Sequence, residues 1–354
     1  MSASHAAATA APPSLSITHS RRFPAWLASE GLSLAFTTYQ AGKVFFIGLT
    51  PDEQVSVFER TFARSMGLAA VGNSLWLATL YQIWRFENFM GGDADGQGYD
   101  ALYVPMEGRT TGDIDVHDVA VSADGKPLFV VTRFNCIAEL DDTSSFRPIW
   151  KPPFIDRIAA EDRCHLNGMA LEDGELAYAS AVGRSNVAEG WRDQRADGGV
   201  ILDTRSGEIV AGGLSMPHSP RLHNGDLWAL NAGTGEFGRV DRKAGRFEPL
   251  AFCRGFTRGL DLHGNYAVAG ASLPRHGGSF SGLALENRLQ SEGLGAKCSV
   301  SVINLTTGDV EHSLQIEGVV EELYDVVLLK GIRRPKALGF KTDEIHNAIR
   351  ISAN

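Results

Sequence analysis

Three histidines, His117, His165 and His218, stand about fifty residues apart, each at the head of an alternating apolar run. Imidazole suits zinc, copper, iron or nickel, and three protein ligands with one open position is the usual layout of a catalytic zinc site. Asp118 or Asp115 is placed to orient a ligand histidine from behind, and Asp118 is taken with the catalytic set. Further along, Arg258 offers a guanidinium for a substrate carboxylate or phosphate, or for a developing oxyanion. Tyr324 offers a general acid or base if a metal or the arginine lowers its pKa. The plainer reading of the same residues is three hydrogen-bonded channel histidines, a buried Arg258–Glu322 ion pair and a satisfied aromatic.

These residues can act together only if the fold brings them together, and the chain carries a repeat that would. A polar residue, a small or acidic one, an apolar strand, a turn and a second apolar strand recur as MGLAAVGNSLWLATLY, HDVAVSADGKPLFVVTRF, NGMALEDGELAYASAV, SPRLHNGDLWALNAG, RGLDLHGNYAVAGAS and YDVVLLKG. The second position of each copy is Gly67, Asp118, Gly168, Ser219, Gly259 and Asp325, spaced by 51, 50, 51, 40 and 66 residues. GN, DG, DG, NG, HG and KG fall between the first two strands, where hairpin turns belong. With two more strand-like runs per copy, four short strands per repeat are the arithmetic of a β-propeller blade. The last copy lacks three strands, and LSLAFTTYQ, KVFFIGLTP and QVSVFERTF near the N-terminus lack an inner one. Joined, they make a sixth blade, so the sequence predicts an all-β, six-bladed propeller closed by one C-terminal and three N-terminal strands. The predicted limits are a disordered tail over 1–22, the propeller over 23–340 and a second tail over 341–354.

In such a ring the starts of the inner strands converge on the axis. Met66, His117, Asn167, His218, Arg258 and Tyr324 form one tier there. Arg64, Asp115, His165, Met216, Phe256 and Glu322, two residues earlier and of the same parity, form another. The loops between second and third strands open on the same face and supply Tyr39, Arg133, Asn135, Asn231 and Arg275. With Asn167 and Glu322 these are the expected substrate contacts. Two long connections, 182–198 and 273–297, overhang this face and are read as a partial lid. GGDADGQG lacks the acidic spacing and closing Glu of a calcium loop and is read as a solvated turn.

Composition narrows the classes further. Hydrophobic residues are 44%, charged residues 21% and glycines 39 of 354, which suits a turn-rich globular chain. Net charge is −9, so a nucleic-acid partner is not expected. No uninterrupted apolar stretch is long enough for a membrane span. The Ala/Ser/Pro-rich start lacks the features of a secretion signal, and a cytoplasmic location is expected. Four scattered cysteines read as reduced and buried. No nucleophile elbow, P-loop or dinucleotide fingerprint occurs in its required context.

HDVAV, CHLNGMAL, MPHSPRL, NAGTGE, FTRGLDL and EELYDVV together resemble a bacterial family of conserved proteins with no assigned function. The layout is also similar to the gluconolactonase and strictosidine synthase-like propellers, which implies a cation on the axis held by carboxylates and amides. Here Asn167 with Asp325 or Glu322 would serve, although histidines occupy the rest of the ring. In kind, His117, His165, His218, Arg258 and Tyr324 resemble the parts of peptidyl-hydroxyglycine amidating lyase, which implies an axial zinc assisted by Tyr and Arg. That lyase draws its histidines from non-consecutive blades, whereas here they are consecutive. The expectation is a metal-dependent hydrolase or lyase with a divalent transition ion, zinc first, on His117, His165 and His218. It would act on a small polar molecule or a peptide terminus. The rivals are a non-catalytic propeller that binds a peptide or protein on this face, and an iron or copper oxidoreductase using the same histidines.

Overall fold

In the computed structural model, which describes residues 14–274 and 282–352, six antiparallel sheets stand around one axis. The inner strands are Leu68–Val71, Val116–Val121, Leu166–Glu172, Pro217–His223, Phe256–His263 and Val326–Lys330, and they head blades I to VI in that order. Each of the six sheets has the four-strand order expected of a blade. Blade VI is closed as the sequence predicts: Val326–Lys330 pairs with Leu32–Thr38, which leads to Lys43–Leu49 and Val55–Thr61.

Two outer strands were not foreseen. Ser16–His19 pairs antiparallel with Val310–Glu317 on the rim of blade V, although the sequence reading assigns that stretch to a disordered tail. Pro335–Ala337 adds in parallel to the rim of blade I, beside Ala101–Thr110. The GGDADGQG loop serves this second strand. Asp95 caps the backbone N–H groups of Gln97 and Tyr99 and pairs with Lys336 at 2.7 Å. A short helix, Phe23–Glu30, fills the gap between blades V and VI with Phe23, Trp26 and Leu27. Its punctuation is ordinary, with a proline in the first turn and a left-handed Gly31 (φ 63°) at its end. The 341–354 segment carries a 3₁₀ turn, Asp343–Asn347, and just ahead of it Phe340 packs on Trp84.

Packing follows the blade plan. Each gap between neighbouring blades holds one apolar cluster, such as Phe129, Val131, Trp76 and Ile83 between blades I and II, because alternate residues of every strand face a neighbour. All four cysteines are buried and free, and burial raises each thiol pKa.

Polar staples hold the inner strands to one another. Asp325 of blade VI accepts from Leu68 N–H of blade I at 2.8 Å, and Asp118 of blade II from Met169 N–H of blade III at 2.9 Å. Asp261 of blade V repeats the device on Leu328 N–H of blade VI at 2.8 Å. Hydroxyls of Thr37, Thr132 and Ser272 staple the same three blade pairs one layer up, at 2.6, 2.6 and 2.9 Å. Arg221 of blade IV lies across the axis, forks onto both Asp118 oxygens at 2.9 and 3.0 Å, and donates to the Met169 and Leu260 carbonyls. Burial, with the charge of Asp118 nearby, pushes the Asp325 carboxyl up to about 8.

Removing one partner of such a buried pair leaves the other charge uncompensated, which costs roughly 3–5 kcal/mol. Arg221→Met is therefore expected to lower unfolding free energy by about that amount in denaturant titrations, and Arg205→Met, on an exposed pair with Glu172, by less than about 1 kcal/mol. Equal losses from the two variants would overturn the assignment of Arg221 as the axial clamp.

Candidate functional site

The loops that lead into the inner strands turn sharply, and the turn is made by residues that dislike it. Arg64, Asp115, His165 and Met216 stand at equivalent places in blades I to IV, each with positive φ (49°, 57°, 50° and 49°). None is glycine, so each costs of order 1 kcal/mol. The kink delivers the chain from the rim onto the axis and sets the parity of the residues that follow.

The axial tier comes together as the repeat requires. The His117 ring centroid lies 4.8 Å from that of His165, 6.4 Å from His218 and 5.6 Å from Tyr324. Tyr324 stacks on Tyr39 at 5.5 Å, and the Arg258 guanidinium lies 4.9 Å from the Tyr324 ring centre and 5.4 Å from that of Phe256. His218 meets the edge of Phe256 at 6.0 Å. Asn167, almost fully buried, donates through Nδ2 to the Pro217 carbonyl at 3.1 Å, which sets its amide beside His218.

Hydrogen bonds fix two of the imidazoles. His117 Nδ1–H donates to the Asp115 carbonyl at 3.1 Å, with an Asp115 carboxylate oxygen 3.6 Å away. His165 Nδ1–H donates to Asp162 at 2.9 Å, and the same Asp162 oxygen accepts from Trp191 Nε1–H at 2.9 Å. Trp191 then lies flat on His165, centroids 4.1 Å apart. Both rings therefore keep Nε2 as the nitrogen available to a ligand.

The electrostatics keep the two deepest imidazoles uncharged. Burial first, then His165 and Arg258, hold the His117 pKa down at about 4 against the pull of Asp115. Burial, Arg258 and the other two histidines hold His218 well below the ordinary imidazole value. Burial works to raise Asp115, but His117, His165, Arg64 and Arg258 outweigh it, and the carboxylate lies below its usual range. Arg64 is tied to Asp113 and, at 3.7 Å, to Asp115.

Other expected contacts are placed differently. Asp118, expected to support a histidine, is committed to Arg221 and the blade II–III staple; Asp115 and Asp162 face the imidazoles instead. Asn135 accepts from Cys164 N–H at 3.0 Å and Asn231 from Ser215 N–H at 2.7 Å, so both carbonyls pin loops. Arg133 is exposed and donates to the carbonyl of Asp113, the residue that also pairs with Arg64, while Glu322 is half-buried. Arg275 lies outside the described residues, as does part of the 273–297 connection. Asp162 and Trp191 were missed. The only signals were an acid three residues before His165 and one tryptophan in an otherwise polar loop.

All three imidazoles suit a transition ion in donor type, His117 and His218 also in neutrality, and His117 and His165 in the nitrogen they offer. They do not converge on one point: the His117 and His218 rings are nearly parallel, at 12°. Among the described residues no group of three or more His, Cys, Asp or Glu side chains has the geometry to hold a metal ion.

Ring closure by both termini and a tier of histidines, arginine and tyrosine on the axis define a six-bladed propeller with a polar axial mouth. The chain belongs to the family DUF4915, described as a domain of unknown function, whose pattern matches residues 21–338. No curated protein matches the chain. Among solved structures it is similar to a chain of a nidogen/laminin complex, with 14% identity over 85% of this chain and 99% of that one, at a TM-score of 0.52. It is matched more loosely to virginiamycin B lyase of Staphylococcus aureus (12% identity, TM-score 0.38, 86% of this chain and 100% of that one). A streptogramin B lyase stands at 11% and 0.39, over 86% and 98%. At these identities the nidogen/laminin likeness speaks to the fold alone, and the two lyases superpose too loosely to transfer any residue. Among the described residues no helix is long and apolar enough to cross a membrane.

The depressed His117 pKa has a stability consequence. Below the unfolded-state imidazole value of about 6.5 the unfolded chain takes up a proton that the folded site refuses, so stability falls as pH drops from 6.5 towards 4. His117→Phe is expected to flatten that acid limb by on the order of 3 kcal/mol, measured as unfolding free energy at pH 7 and pH 4.5. An acid limb as steep as that of the parent protein would show that His117 is not held neutral.

Proposed function

We propose that the chain is an enzyme that acts on a small polar oxyanion at the axial mouth, by hydrolysis or by a lyase-type elimination. The observation that carries this reading is the meeting of neutral His117 and His218 with His165, Tyr324 and Arg258 in one buried tier. Such residues are costly to bury together, and their gathering at the end of a rigid scaffold is the ordinary mark of a working site.

In this reading Arg258 holds the anionic group of the substrate. His165, oriented from behind by Asp162, accepts a proton at Nε2 from water or from the substrate. In hydrolysis the water oxygen then bonds to the acyl carbon, and Tyr324 supplies a proton to the departing group. In elimination the carbon–hydrogen pair collapses to a double bond, and Tyr324 again protonates what leaves. The 182–198 connection covers one side of the mouth through Trp191, which shares an apolar cluster with Phe256, Met216 and the helix Ala284–Ser291.

A second reading keeps the same site and adds a divalent transition ion, zinc first. The Nε2 atoms that His117 and His165 leave available, and the Nε2 of His218, which has no hydrogen-bond partner among the described residues, favour it. Because the described side chains do not converge on one metal position, this reading requires the three rings to reorient on binding. A cytoplasmic location and a small-molecule or peptide substrate belong to this proposal too.

The test is a screen of the purified chain against esters, lactones and β-substituted carboxylates, with Arg258→Met and His165→Ala as controls. Turnover is expected to fall at least 100-fold in each control while circular dichroism and melting stay near the parent values. Turnover that survives both substitutions would place the chemistry elsewhere. Zinc bound one to one, and lost in a His117→Ala, His218→Ala double variant, would select the metal-dependent form.

A further inference from the structure

Blades IV and V part at the end of the ring opposite the axial mouth. His218 stands at one end of the inner strand Pro217–His223, and His223 at the other. There the hairpin turns at Asn224 and at Gly264 and Asn265, with the outer strands of blade IV, enclose a cavity of about 490 Å³, the size of a small-molecule site. Trp228, on the second strand of blade IV, forms part of its wall. The indole is 8% exposed and stacks on Phe237, ring centres 5.3 Å apart. Its Nε1–H has no acceptor among the described residues. An indole nitrogen can only donate, and it ordinarily finds a partner when buried. Packing between the blades thus satisfies the ring and leaves its polar atom open beside a cavity, at the standing cost of an unmade hydrogen bond.

A second wall residue carries the complementary atom. His223 Nε2–H donates to the Gly264 carbonyl at 2.8 Å. A carbonyl can only accept, so Nε2 bears the proton and the neutral ring keeps Nδ1 as a lone pair. The charges of the wall are already committed to one another: Arg239 is shared between Asp226 at 3.6 Å and Glu248 at 2.9 Å. An anion would have to compete with both carboxylates for that guanidinium. An ammonium would meet the carboxylates but bring no acceptor to the indole N–H. Pro249, Leu250 and Leu305 give the rest of the wall an apolar lining. What matches this surface is a neutral group that accepts and donates side by side on an apolar body, which is the chemistry of an amide.

We infer that the cavity between blades IV and V is a second ligand site, selective for a neutral amide whose carbonyl accepts from Trp228 Nε1–H and whose N–H donates to His223 Nδ1. A small molecule and a peptide backbone present the same group, and the same two residues recognise it. The site lies at the far end of the propeller from the axial tier and does not rest on the chemistry proposed there.

The test titrates the full chain, nitrogen-labelled at its indoles, with N-isobutylacetamide, isobutyl acetate, sodium isovalerate and isobutylammonium chloride, which share one apolar body and differ in the group they present. The readout is the Trp228 indole N–H resonance, assigned with Trp228→Phe. The amide is expected to move it downfield and to bind about tenfold more tightly than the ester, the carboxylate or the ammonium, the difference one hydrogen bond makes. His223→Phe should bring the amide down to the affinity of the ester while the Trp228 resonance still moves. Trp228→Phe, followed on the His223 ring resonances, should weaken the amide by a similar factor. Because His223 sits at a partly exposed turn, its variant guards against a folding artefact in the other. Ester binding as tightly as the amide would overturn the His223 half, and carboxylate or ammonium binding as tightly would overturn the selection for a neutral group. A Trp228 resonance that none of the probes moves would overturn the site. N-acetyl-glycyl-leucyl-glycinamide separates the two sources: binding tighter than that of the small amide assigns the cavity to a peptide backbone, and binding no tighter assigns it to free small amides. Absence of turnover at the axial mouth would leave this inference standing.

Discussion

The structure depends on how closely six strand backbones can approach one axis. At the second position of the repeat, blades I, III and V carry Gly67, Gly168 and Gly259, and blades II, IV and VI carry Asp118, Ser219 and Asp325. The alternation is a packing solution. A methyl group on Gly259 (φ 73°) would meet the Val326 nitrogen at 2.6 Å and the Asp325 Cα at 2.7 Å, and one on Gly168 would meet the Ser219 nitrogen at 2.9 Å. Every second blade gives up its side chain so that the backbone of the next inner strand can come close. Asp118 and Asp325, admitted in this way, then staple the next strand, and Arg221 reaches across the channel to pair with Asp118. Closure and charge balance are one device.

The axial mouth inherits its character from that closure. Successive residues of a strand point to opposite sides, so His117 and Asp118, adjacent in sequence, belong to different layers. The first joins the imidazole tier, and the second joins the staple to Met169 and Arg221. A shift of one residue would exchange them and put a carboxylate among the histidines. The left-handed turns at Arg64, Asp115, His165 and Met216 fix this parity, which explains why strain is tolerated at four equivalent points. Beneath the tier lies the layer of Asp118, Arg221 and Asp325, and above it lie the loops that carry Asp162 and Trp191.

The fold was legible because its signals are repetitive. Six spaced copies, each with a turn dipeptide between alternating runs, leave little choice of architecture, and the three unpaired N-terminal strands had one place to go. The site was legible only as far as strand parity reaches. Parity brought His117, His218, Arg258 and Tyr324 to one tier and Asn167 beside them. It could not say whether an aspartate next to a histidine turns inward or staples a neighbour, so Asp118 was misplaced. Nor could it see that Asn135 and Asn231 spend their carbonyls on Cys164 and Ser215, since such bonds depend on loop shape rather than on period. Asp162 and Trp191 were invisible for the same reason: they reach His165 from irregular segments with no repeat to align. The rim strands Ser16–His19 and Pro335–Ala337 are short and polar, and only the edges they cover give them reason to form.

A tier of neutral imidazoles beside a buried guanidinium works against folding. His117 and His218 lose their solvation, and neither is allowed the charge that would recover part of it at mild acidity. Four residues hold unfavourable backbone angles to put them there. An apolar channel filling of similar volume would meet the packing requirement without these costs. The apolar clusters between blades and the ionic staples below the tier supply the stability that offsets them. That division, with stability built between the blades and strain concentrated at the axis, is hard to account for by structural need alone. The Trp191 contact sharpens the point: buried with Met216 and Phe256, the tryptophan also lies flat on His165 and shares Asp162 with it, which restrains one imidazole face. The orientation of that ring is what the loop secures, and the proposed proton transfer at His165 Nε2 depends on it.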